Sequence, residues 1–290
     1  MSILHVILLA IIQGMAELLP VSSSAHVVVA EKLMGMDPTA PQMTLLLVML
    51  HTGTMFAVIA YFWTQWRRAY FHDRETFRTI ALQIIVATFF TGLIGGGLIE
   101  AIEKLAFPRA KHAEIEQLFG RLDLIAPALA MVGILILIAG LKRRNAHRDT
   151  PRDAGTGMNT AQAGWIGAVQ GLCLPFRGFS RSGATISTGM LLGVTRNKAE
   201  VFSFALAVVL TPPAIAREVM RLVKAEHLSG GSGVAAAMMP SLLGALFAFL
   251  AGLLALKWLS RWLETGRWHW FGVYCLIAAG VVAYLHRVGY

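Results

Sequence analysis

Two polar stretches interrupt the long apolar runs of this sequence, and both carry residue types that can do chemistry. Residues 13–26 hold a carboxylate, three consecutive serines and an imidazole, and residues 170–185 hold a glycine-flanked basic turn. Ionisable groups inside apolar segments are energetically costly and usually mark a functional site. We therefore predict that the two stretches meet and form one site that binds an anion.

The first stretch combines the end of one helix with the start of another. Gln13 and Glu17 are four residues apart, so they share one face of a helix, and Pro20 ends that helix. The serines at residues 22–24 stand where the next helix begins, and helix starts bind phosphate because free N–H groups and the positive dipole end point at the anion. Capping of the helix explains Ser24 equally well, but it does not explain all three serines.

The second stretch contains the turn RGFSRSG at residues 177–183. Its glycines let the backbone approach a ligand closely, and a guanidinium makes a bidentate match to phosphate oxygens. Arg181 in the middle of the turn is predicted to contact the anion, whereas Arg177 could equally extend toward the membrane interface. Thr185 fits helix packing as well as ligand binding, and His51 is more typical of a satisfied buried histidine than of a ligand.

The sequence contains no nucleotide-binding glycine loop, no His/Cys metal cluster and no Gly-x-Ser-x-Gly elbow. The groups that remain around the anion are one carboxylate, one histidine, hydroxyls and arginines. This set suits phosphoryl transfer, in which a hydroxyl or water attacks phosphorus while cations hold the equatorial oxygens.

Composition predicts the kind of protein that positions these residues. Of the 290 residues, 56% are hydrophobic and 14% are charged, which indicates a polytopic membrane protein. The formal net charge is +9, and the basic residues cluster in short loops between apolar runs, as in cytoplasmic loops that face anionic lipid. We therefore exclude nucleic acid as a partner. Cys173 and Cys275 both lie in apolar context, which argues against a structural disulfide.

The apolar runs predict the helices. Residues 2–19 and 24–35 are each too short or too polar to span a bilayer, which needs about 20 apolar residues, so together they predict a re-entrant hairpin with its turn at 20–24. A second hairpin is predicted near 160–192. Six further segments are predicted to span, of which the fourth is the weakest: residues 42–63, 79–99, 124–141, 201–217, 238–256 and 268–286.

Charge and internal similarity predict an inverted topology. The basic loops 64–78 and 142–160 are predicted in the cytoplasm and the loop 100–123 outside, so the first hairpin enters from the outside and the second from the inside. The dipeptide Gln-Gly and the motif Ser-x-Ser occur in both hairpins, and the Ser-x-Ser motif recurs at an offset of 158 residues. Each half is then a hairpin plus three spans, so the halves insert with opposite orientation and polar sites lie where they meet.

The predicted fold class is an all-α polytopic membrane protein with two inverted-topology repeats, each a re-entrant helical hairpin plus three transmembrane helices. We treat residues 1–290 as a single membrane domain, with repeat one at 1–141, a cytoplasmic loop at 142–160 and repeat two at 161–290. Chance similarity between apolar segments rich in serine and glycine is the alternative explanation of the repeat, and the independent charge pattern argues against it.

In the two polar stretches, residues 13–26 and 170–185, the chain resembles the bacterial undecaprenyl-diphosphate phosphatase family, the bacitracin-resistance type of integral-membrane phosphatase. Length and span count also match, so the resemblance covers most of the chain. The matching motifs are Gln13-x-x-x-Glu17, LPVSS at residues 19–23 with His26, GFSRSGATIS at residues 178–187 and FSFALA at residues 202–207.

The resemblance implies hydrolysis of undecaprenyl diphosphate to undecaprenyl phosphate and inorganic phosphate, which recycles the lipid carrier for peptidoglycan and other envelope polymers. It also implies a multi-pass protein of the bacterial inner membrane with a site accessible from the periplasmic side, and a divalent cation, Mg²⁺, as cofactor. The expected partners are the polyprenyl diphosphate substrate and membrane lipids, and a homodimer is a further hypothesis. The alternative function is a transporter or flippase of polyprenyl phosphates, since inverted repeats with broken helices are also transporter architecture.

Carried over residue by residue, the resemblance implies that the catalytic residues are Glu17, Ser23, His26 and Arg181. Ser23 would be the nucleophile or orient it, Arg181 would hold the phosphate, and His26 would donate a proton or be the alternative nucleophile. Glu17 would be the general base or, together with Gln13, a metal ligand. The implied phosphate-binding residues are Ser22, Ser24, Arg177, Gly178, Ser180, Ser182, Gly183 and Thr185.

The chain departs from the family pattern at three positions. Gln13 stands where many members have a second glutamate, which weakens a metal site made of two carboxylates. Arg177 replaces the usual proline of the phosphate loop, and His51-Thr-Gly replaces a more usual Gln-Leu-Gly. These changes affect the fold little and bear mainly on metal dependence and on the choice of lipid.

Overall fold

The computed structural model describes most of the chain, namely residues 2–37, 41–106, 118–146, 157–229, 233–264 and 267–290. This part of the chain consists of helices joined by turns, without a strand, as the sequence predicts. In chain order the helices are α1 (Ile3–Leu18), α2 (Ser23–Leu33), α3 (Pro41–Tyr70), α4 (Arg74–Ala106), α5 (Leu122–Ala146), α6 (Thr160–Cys173), α7 (Arg181–Leu191), α8 (Arg196–Ser229), α9 (Gly233–Glu264) and α10 (His269–Arg287).

Five helices in the described ranges are long and apolar enough to cross a membrane, and they coincide with five of the six predicted spans. The sixth predicted span, residues 201–217, is not among these five. It lies inside α8, a helix of 34 residues that contains Pro212 and Pro213. The five stretches are Met43–Tyr70, Arg74–Leu105, Leu122–Lys142, Met238–Leu259 and His269–Arg287.

The connection between α3 and α4 is much shorter than the predicted loop 64–78. Helix α3 continues to Tyr70 and α4 begins at Arg74, because charged residues are good helix formers and basic side chains in the last turn of α3 complement the helix dipole. The exposed Asp73 precedes α4, and its Oδ1 accepts a hydrogen bond of 2.8 Å from the backbone N–H of Thr76. This hydrogen bond lowers the pKa of the Asp73 carboxyl group.

The predicted loops 100–123 and 142–160 are also partly helical, because α4 and α5 extend into them from their N-terminal sides. Residues 107–117 and 147–156, which make up much of these two loops, lie outside the described residues. Five of the six predicted spans were therefore placed correctly by their apolar centres, while charged residues at the ends of α3, α4 and α5 were wrongly assigned to loops.

Each predicted hairpin consists of two short helices with a break between them. Helix α1 ends at Leu18, two residues before Pro20, and α2 begins behind the N-cap Ser22. Helix α6 ends at Cys173, and α7 begins behind the N-cap Ser180. In both hairpins the Oγ of the capping serine accepts the N–H of the residue three positions later, at 3.4 and 3.2 Å.

The second helices of the two hairpins are alike in length and in their ends. Helices α2 and α7 are both 11 residues long. Both are followed by a glycine with positive φ, Gly35 at 67° and Gly193 at 89°, which is the usual way for a helix to end in a left-handed residue. The second helices of the two hairpins therefore share their length, their capping serine and the glycine that follows them.

The first helix of each hairpin packs on a long helix of the other half. Helix α1 lies against α9, and α6 lies against α4. Glycines permit these close approaches. A Cβ atom at Gly14 would lie 2.7 Å from the carbonyl oxygen of Ala248 on α9, and one at Gly171 would lie 2.9 Å from that of Thr91 on α4. Helix α5 packs along α10, and α3 contacts both α8 and α9.

A large apolar core joins the second helices of the hairpins to α5, α8 and α10. Its fully buried side chains include Val28, Leu129 and Ile186. The buried indole of Trp268 donates its Nε1–H to Ser187 Oγ at 3.0 Å, which anchors α7 on the side of the core. The core therefore holds α7, and with it Arg181, in a fixed position.

Candidate functional site

The two hairpins meet through an ion pair between α1 and α7. The Nη2 of Arg181 donates to Glu17 Oε1 at 2.7 Å, although the two residues are 164 positions apart in the chain. The side chains of Glu17 and Arg181 are only 14% and 26% exposed. The carboxylate and the guanidinium therefore neutralise each other in a partly buried site, where water screens charge weakly.

Three further side chains lie close to the second oxygen of the Glu17 carboxylate. Glu17 Oε2 accepts hydrogen bonds from Ser23 Oγ and, at 3.1 Å, from Gln13 Nε2. His51 Nε2 lies 3.7 Å from the same oxygen. We call these five residues, Gln13, Glu17, Ser23, His51 and Arg181, the Glu17 cluster.

The breaks of the two hairpins lie side by side next to this cluster. The backbone N–H of Gly178 donates to Ser24 Oγ at 3.4 Å, and Ser182 Oγ donates to the carbonyl oxygen of Leu19 at 3.2 Å. Within each Ser-x-Ser motif the two hydroxyl oxygens are 3.3 and 3.4 Å apart. The starts of α2 and α7 are thus adjacent, and the positive ends of both helix dipoles favour an anion between them.

The backbone of both breaks has unusual conformations. Ser22 has a φ of 68°, and it is the one non-glycine residue with positive φ in the described part of the chain. Gly178 has a φ of 100°, and a Cβ atom there would lie 2.6 Å from the carbonyl oxygen of Ile125. Gly183, in the first turn of α7, lies against Pro20 of the other break. Left-handed residues of this kind are costly and concentrate at functional sites.

The side chain of His26 is hydrogen-bonded to Ser22 and to Tyr274 on α10, and not to Glu17. Its Nδ1 lies 2.7 Å from the carbonyl oxygen of Ser22, and its Nε2 lies 2.6 Å from the hydroxyl of Tyr274. The two rings are stacked, with centroids 5.7 Å apart and planes inclined by 10°. The structure therefore brings Glu17, Ser23 and Arg181 into direct contact and places His26 one turn further along α2.

Two of the predicted phosphate-binding residues have other contacts. Thr185 is fully buried, and its hydroxyl donates to the carbonyl oxygen of Arg181 at 2.8 Å and lies 2.5 Å from Ser203 Oγ on α8. These are the contacts of a residue that anchors α7. The guanidinium carbon of Arg177 lies 4.5 Å above the ring of Phe119, a cation–π contact outside the Glu17 cluster.

Sequence reasoning missed two residues near the site. His51 was expected to be an ordinary buried histidine, but its side chain is 34% exposed and faces Glu17. Its polar neighbour Thr52 within a span is the signal that could have indicated a role. Tyr274 lies 248 residues from His26, and nothing in the local sequence of α10 indicates the pairing.

The residues present fit a divalent cation only in part. Among the described residues no group of three or more His, Cys, Asp or Glu side chains could hold a metal ion. Gln13 is fully buried, however, and its Oε1 has no hydrogen-bond partner although its Nε2 is bonded to Glu17. Mg²⁺ is commonly held by one or two protein oxygens together with substrate phosphates. The donor set fits an ion shared with a diphosphate and does not fit a closed protein site.

An arginine–carboxylate pair, serine hydroxyls and two helix starts, set among helices long enough to cross a membrane, define a class of protein. That class is the multi-pass membrane protein with polar groups between its helices, and these groups suit an anionic group such as phosphate. The model of the bacitracin resistance protein BacA family matches residues 6–282, and the chain belongs to that family.

Curated relatives match over almost their whole length. Undecaprenyl-diphosphatase 2 of Acinetobacter baylyi is 55% identical over 285 residues, which cover 97% of each chain. Undecaprenyl-diphosphatase of Rhodopirellula baltica is 32% identical and covers 98% of each chain. Undecaprenyl-diphosphatase of Desulfosudis oleivorans is 34% identical and covers 96% of this chain and 97% of its own.

Proposed function

We propose that this protein is a membrane-embedded phosphatase that hydrolyses undecaprenyl diphosphate to undecaprenyl phosphate and inorganic phosphate. The observation that carries the proposal is the contact of Glu17 with both Ser23 and Arg181, which combines a base, a hydroxyl and a cation. Family membership and the names of the relatives support the same activity. The reaction returns the lipid carrier to the monophosphate form that envelope synthesis uses.

Glu17 and Ser23 supply the nucleophile in this proposal. Ser23 Oγ donates its hydrogen bond to Glu17 Oε2, so the carboxylate can take the proton while the oxygen attacks the terminal phosphorus. An Oγ–P bond forms, the bridging P–O bond breaks, and undecaprenyl phosphate leaves. Water then hydrolyses the phosphoserine and releases inorganic phosphate. In the alternative, Ser23 orients a water molecule that attacks phosphorus directly.

His26 is the weaker candidate for the nucleophile, because both of its ring nitrogens are already engaged by Ser22 and Tyr274. Arg181 is proposed to hold the phosphoryl oxygens, since a guanidinium matches them in a bidentate arrangement. The N–H groups at the starts of α2 and α7 add partial positive charge to the same region. The serine hydroxyls of the two Ser-x-Ser motifs are proposed as further hydrogen-bond donors to the diphosphate.

We also propose that Glu17 and the Oε1 of Gln13 hold Mg²⁺ together with oxygens of the diphosphate. The support is that Gln13 Oε1 is buried and has no hydrogen-bond partner, while Nε2 of the same amide donates to the Glu17 carboxylate. When bound, the ion would neutralise charge on the phosphate oxygens, which is the usual contribution of Mg²⁺ to phosphoryl transfer.

The inverted repeat, the bacterial inner membrane as location and a site open to the periplasm are part of the same proposal. The equal lengths of α2 and α7 and the reciprocal packing of α1 on α9 and of α6 on α4 support two related halves. The basic residues at the ends of α3 and α5 support cytoplasmic positions for those ends.

The proposed activity can be tested with purified protein in detergent, by measuring phosphate release from undecaprenyl diphosphate with and without a chelator. Arg181→Ala is expected to lower kcat about 100-fold to 1000-fold, because it removes charge stabilisation of the transition state. Glu17→Ala is expected to lower kcat by a similar factor, because it removes the general base. The matched control is Arg121→Ala, since the guanidinium of Arg121 is paired with Asp123 outside the Glu17 cluster. Its activity should stay close to that of the wild type.

The same assay separates the phosphatase from the transporter or flippase. A transporter would move polyprenyl phosphates between leaflets of vesicles and release no phosphate from the diphosphate. Absence of phosphate release from wild-type protein that is folded and bound to lipid would overturn the proposal. Full activity of Arg181→Ala would remove that residue from the mechanism.

A further inference from the structure

The pairing of His26 with Tyr274 joins the first hairpin to α10. Tyr274 is 46% exposed, and its hydroxyl is 2.6 Å from His26 Nε2. The next residue, Cys275, contacts the same hairpin, because its Sγ lies 3.4 Å from the carbonyl oxygen of Pro20. Two consecutive residues of α10 therefore contact the first hairpin, Cys275 at its break and Tyr274 at the first turn of α2, although α10 packs mainly along α5.

The hydrogen bonds define the state of the His26 ring. The carbonyl oxygen of Ser22 can only accept, so the hydrogen of His26 must be on Nδ1. In the neutral ring Nε2 then carries the lone pair, and the hydroxyl of Tyr274 is the donor. Stacking of the two rings adds a second restraint on the orientation of the imidazole.

We propose that Tyr274 is a positioning residue of the site, which holds His26 in the Nδ1–H tautomer and in one orientation one turn away from Ser23. This inference rests on the proposed phosphatase function. His26 follows Ser22 by four residues and Ser23 by three, so a tilt of its ring changes the contacts of the first turn of α2. The tyrosine hydroxyl thus acts on the reaction through His26 and does not itself contact the phosphorus.

The first test is a double-mutant cycle of Tyr274→Phe and His26→Gln. Phenylalanine keeps the stacked ring and removes only the hydroxyl, so the fold should be retained. In the wild-type background Tyr274→Phe is expected to lower kcat about tenfold while KM changes less than about twofold, because a misoriented group costs rate more than binding. In the His26→Gln background the same change should have no further effect, since the hydroxyl acts only through the imidazole.

The matched control is Tyr284→Phe. Tyr284 lies on the same helix, is 64% exposed and is outside the site, so activity should be unchanged. An equal loss of activity from Tyr274→Phe in both backgrounds would overturn the inference, as would full activity of Tyr274→Phe in the wild-type background.

The second test reads the tautomer directly and needs no activity. In protein with ¹⁵N-labelled histidine, the His26 resonances are identified by their loss in His26→Gln. Wild-type protein should show the neutral Nδ1–H pattern with a hydrogen-bonded Nε2, and Tyr274→Phe should shift the Nε2 resonance. An unchanged Nε2 resonance would overturn the pairing. If wild-type protein released no phosphate, the proposed function would fail while this spectrum still decided the pairing.

Discussion

Glu17 is paired with Arg181, the guanidinium that we propose as the phosphate-binding group. Arg181 donates to Glu17 Oε1 at 2.7 Å, and both side chains are largely shielded from solvent. In the proposed function, a diphosphate would therefore compete with the Glu17 carboxylate for the guanidinium of Arg181. Removing one partner of a buried pair leaves the other charge uncompensated, so the Arg181 charge becomes available to a ligand when Glu17 is neutral.

Glu17→Gln should therefore separate binding from turnover. We expect the variant to bind a non-hydrolysable lipid diphosphonate about tenfold more tightly than wild type when a chelator is present, because the competing carboxylate and its repulsion are removed. Its kcat should fall about 100-fold to 1000-fold, as for Glu17→Ala, since the base is lost. Equilibrium binding to the purified protein in detergent measures the first effect. Glu100→Gln is the control, because Glu100 pairs with Lys104 on the surface. If Glu17→Gln bound the diphosphonate more weakly than wild type, Glu17 would not compete with the ligand for Arg181.

His51 should contribute to rate through its position beside the carboxylate. Its Nδ1 is held by the carbonyl oxygen of Leu47 at 2.8 Å, which directs Nε2 toward Glu17. We expect His51→Leu to lower kcat about tenfold, because a polar group facing the reacting carboxylate is replaced by an apolar one, and His51→Gln to lower it less. His72→Gln in the α3–α4 turn is the control. Equal kcat values for His51→Leu and wild type would show that the imidazole does not contribute to the rate.

The sequence predicted functional residues where a charged side chain lies in an apolar segment, because burying such a group costs free energy. Glu17 and Arg181 stand out for that reason, and Ser23 stands out because it lies at a helix start three residues after Pro20. His51 does not stand out, because one histidine inside a span is compatible with packing. The partner of His26 could not be found at all, since a pair formed across most of the chain leaves no periodic pattern in either segment.

At the level of helices, short-range signals located the breaks of both hairpins. Pro20, the two capping serines and the glycines after α2 and α7 each act through the backbone of a few residues, so they can be read from the sequence. The lengths of α3 and α4 were underestimated, because charged residues at the ends of spans were interpreted as loops. Those residues are good helix formers, and the sequence alone does not show where the membrane ends.

The break before α7 should be more sensitive to substitution than the turn after it. Gly178 and Gly193 both have positive φ, but a Cβ atom would clash only at Gly178, where the carbonyl oxygen of Ile125 would be 2.6 Å away. Gly193→Ala should cost about 1 kcal/mol for the left-handed backbone alone. Gly178→Ala should cost about 3 kcal/mol and also reduce activity, since the break must shift.

Thermal unfolding in detergent together with phosphate release measures both glycine variants. Gly193→Ala serves as the matched control, because nothing lies within 4 Å of the added Cβ there. Equal losses of stability in the two variants would mean that the contact with Ile125 carries no cost.

For the whole molecule, the site lies between two halves that each contribute one charged residue of the ion pair. The sequence indicated two halves only through a few repeated residues and a charge bias. It could not indicate that α1 packs on α9 or α6 on α4, because such contacts are set by small residues whose partners lie far along the chain.

The proposed topology can be tested by labelling engineered cysteines in intact cells. His72→Cys lies in the α3–α4 turn and should react with a membrane-impermeant maleimide only after the cells are permeabilised. Gly120→Cys precedes α5 and should react in intact cells; nothing lies within 4 Å of its added Cβ. The chain without engineered cysteines is the control, because it shows how much label reacts with the native Cys173 and Cys275. Labelling of both positions from the same side would contradict the proposed orientation.

At Ser22, thermal stability and catalytic activity favour different residues, because the backbone there is left-handed. A glycine there would relax the backbone by about 1 kcal/mol and would lose the hydroxyl that caps α2 and lies beside Ser24. Loss of the cap to glycine costs only a few tenths of a kcal/mol. A laboratory selection for heat resistance alone should therefore enrich Ser22→Gly, while a selection for lipid recycling should discard it.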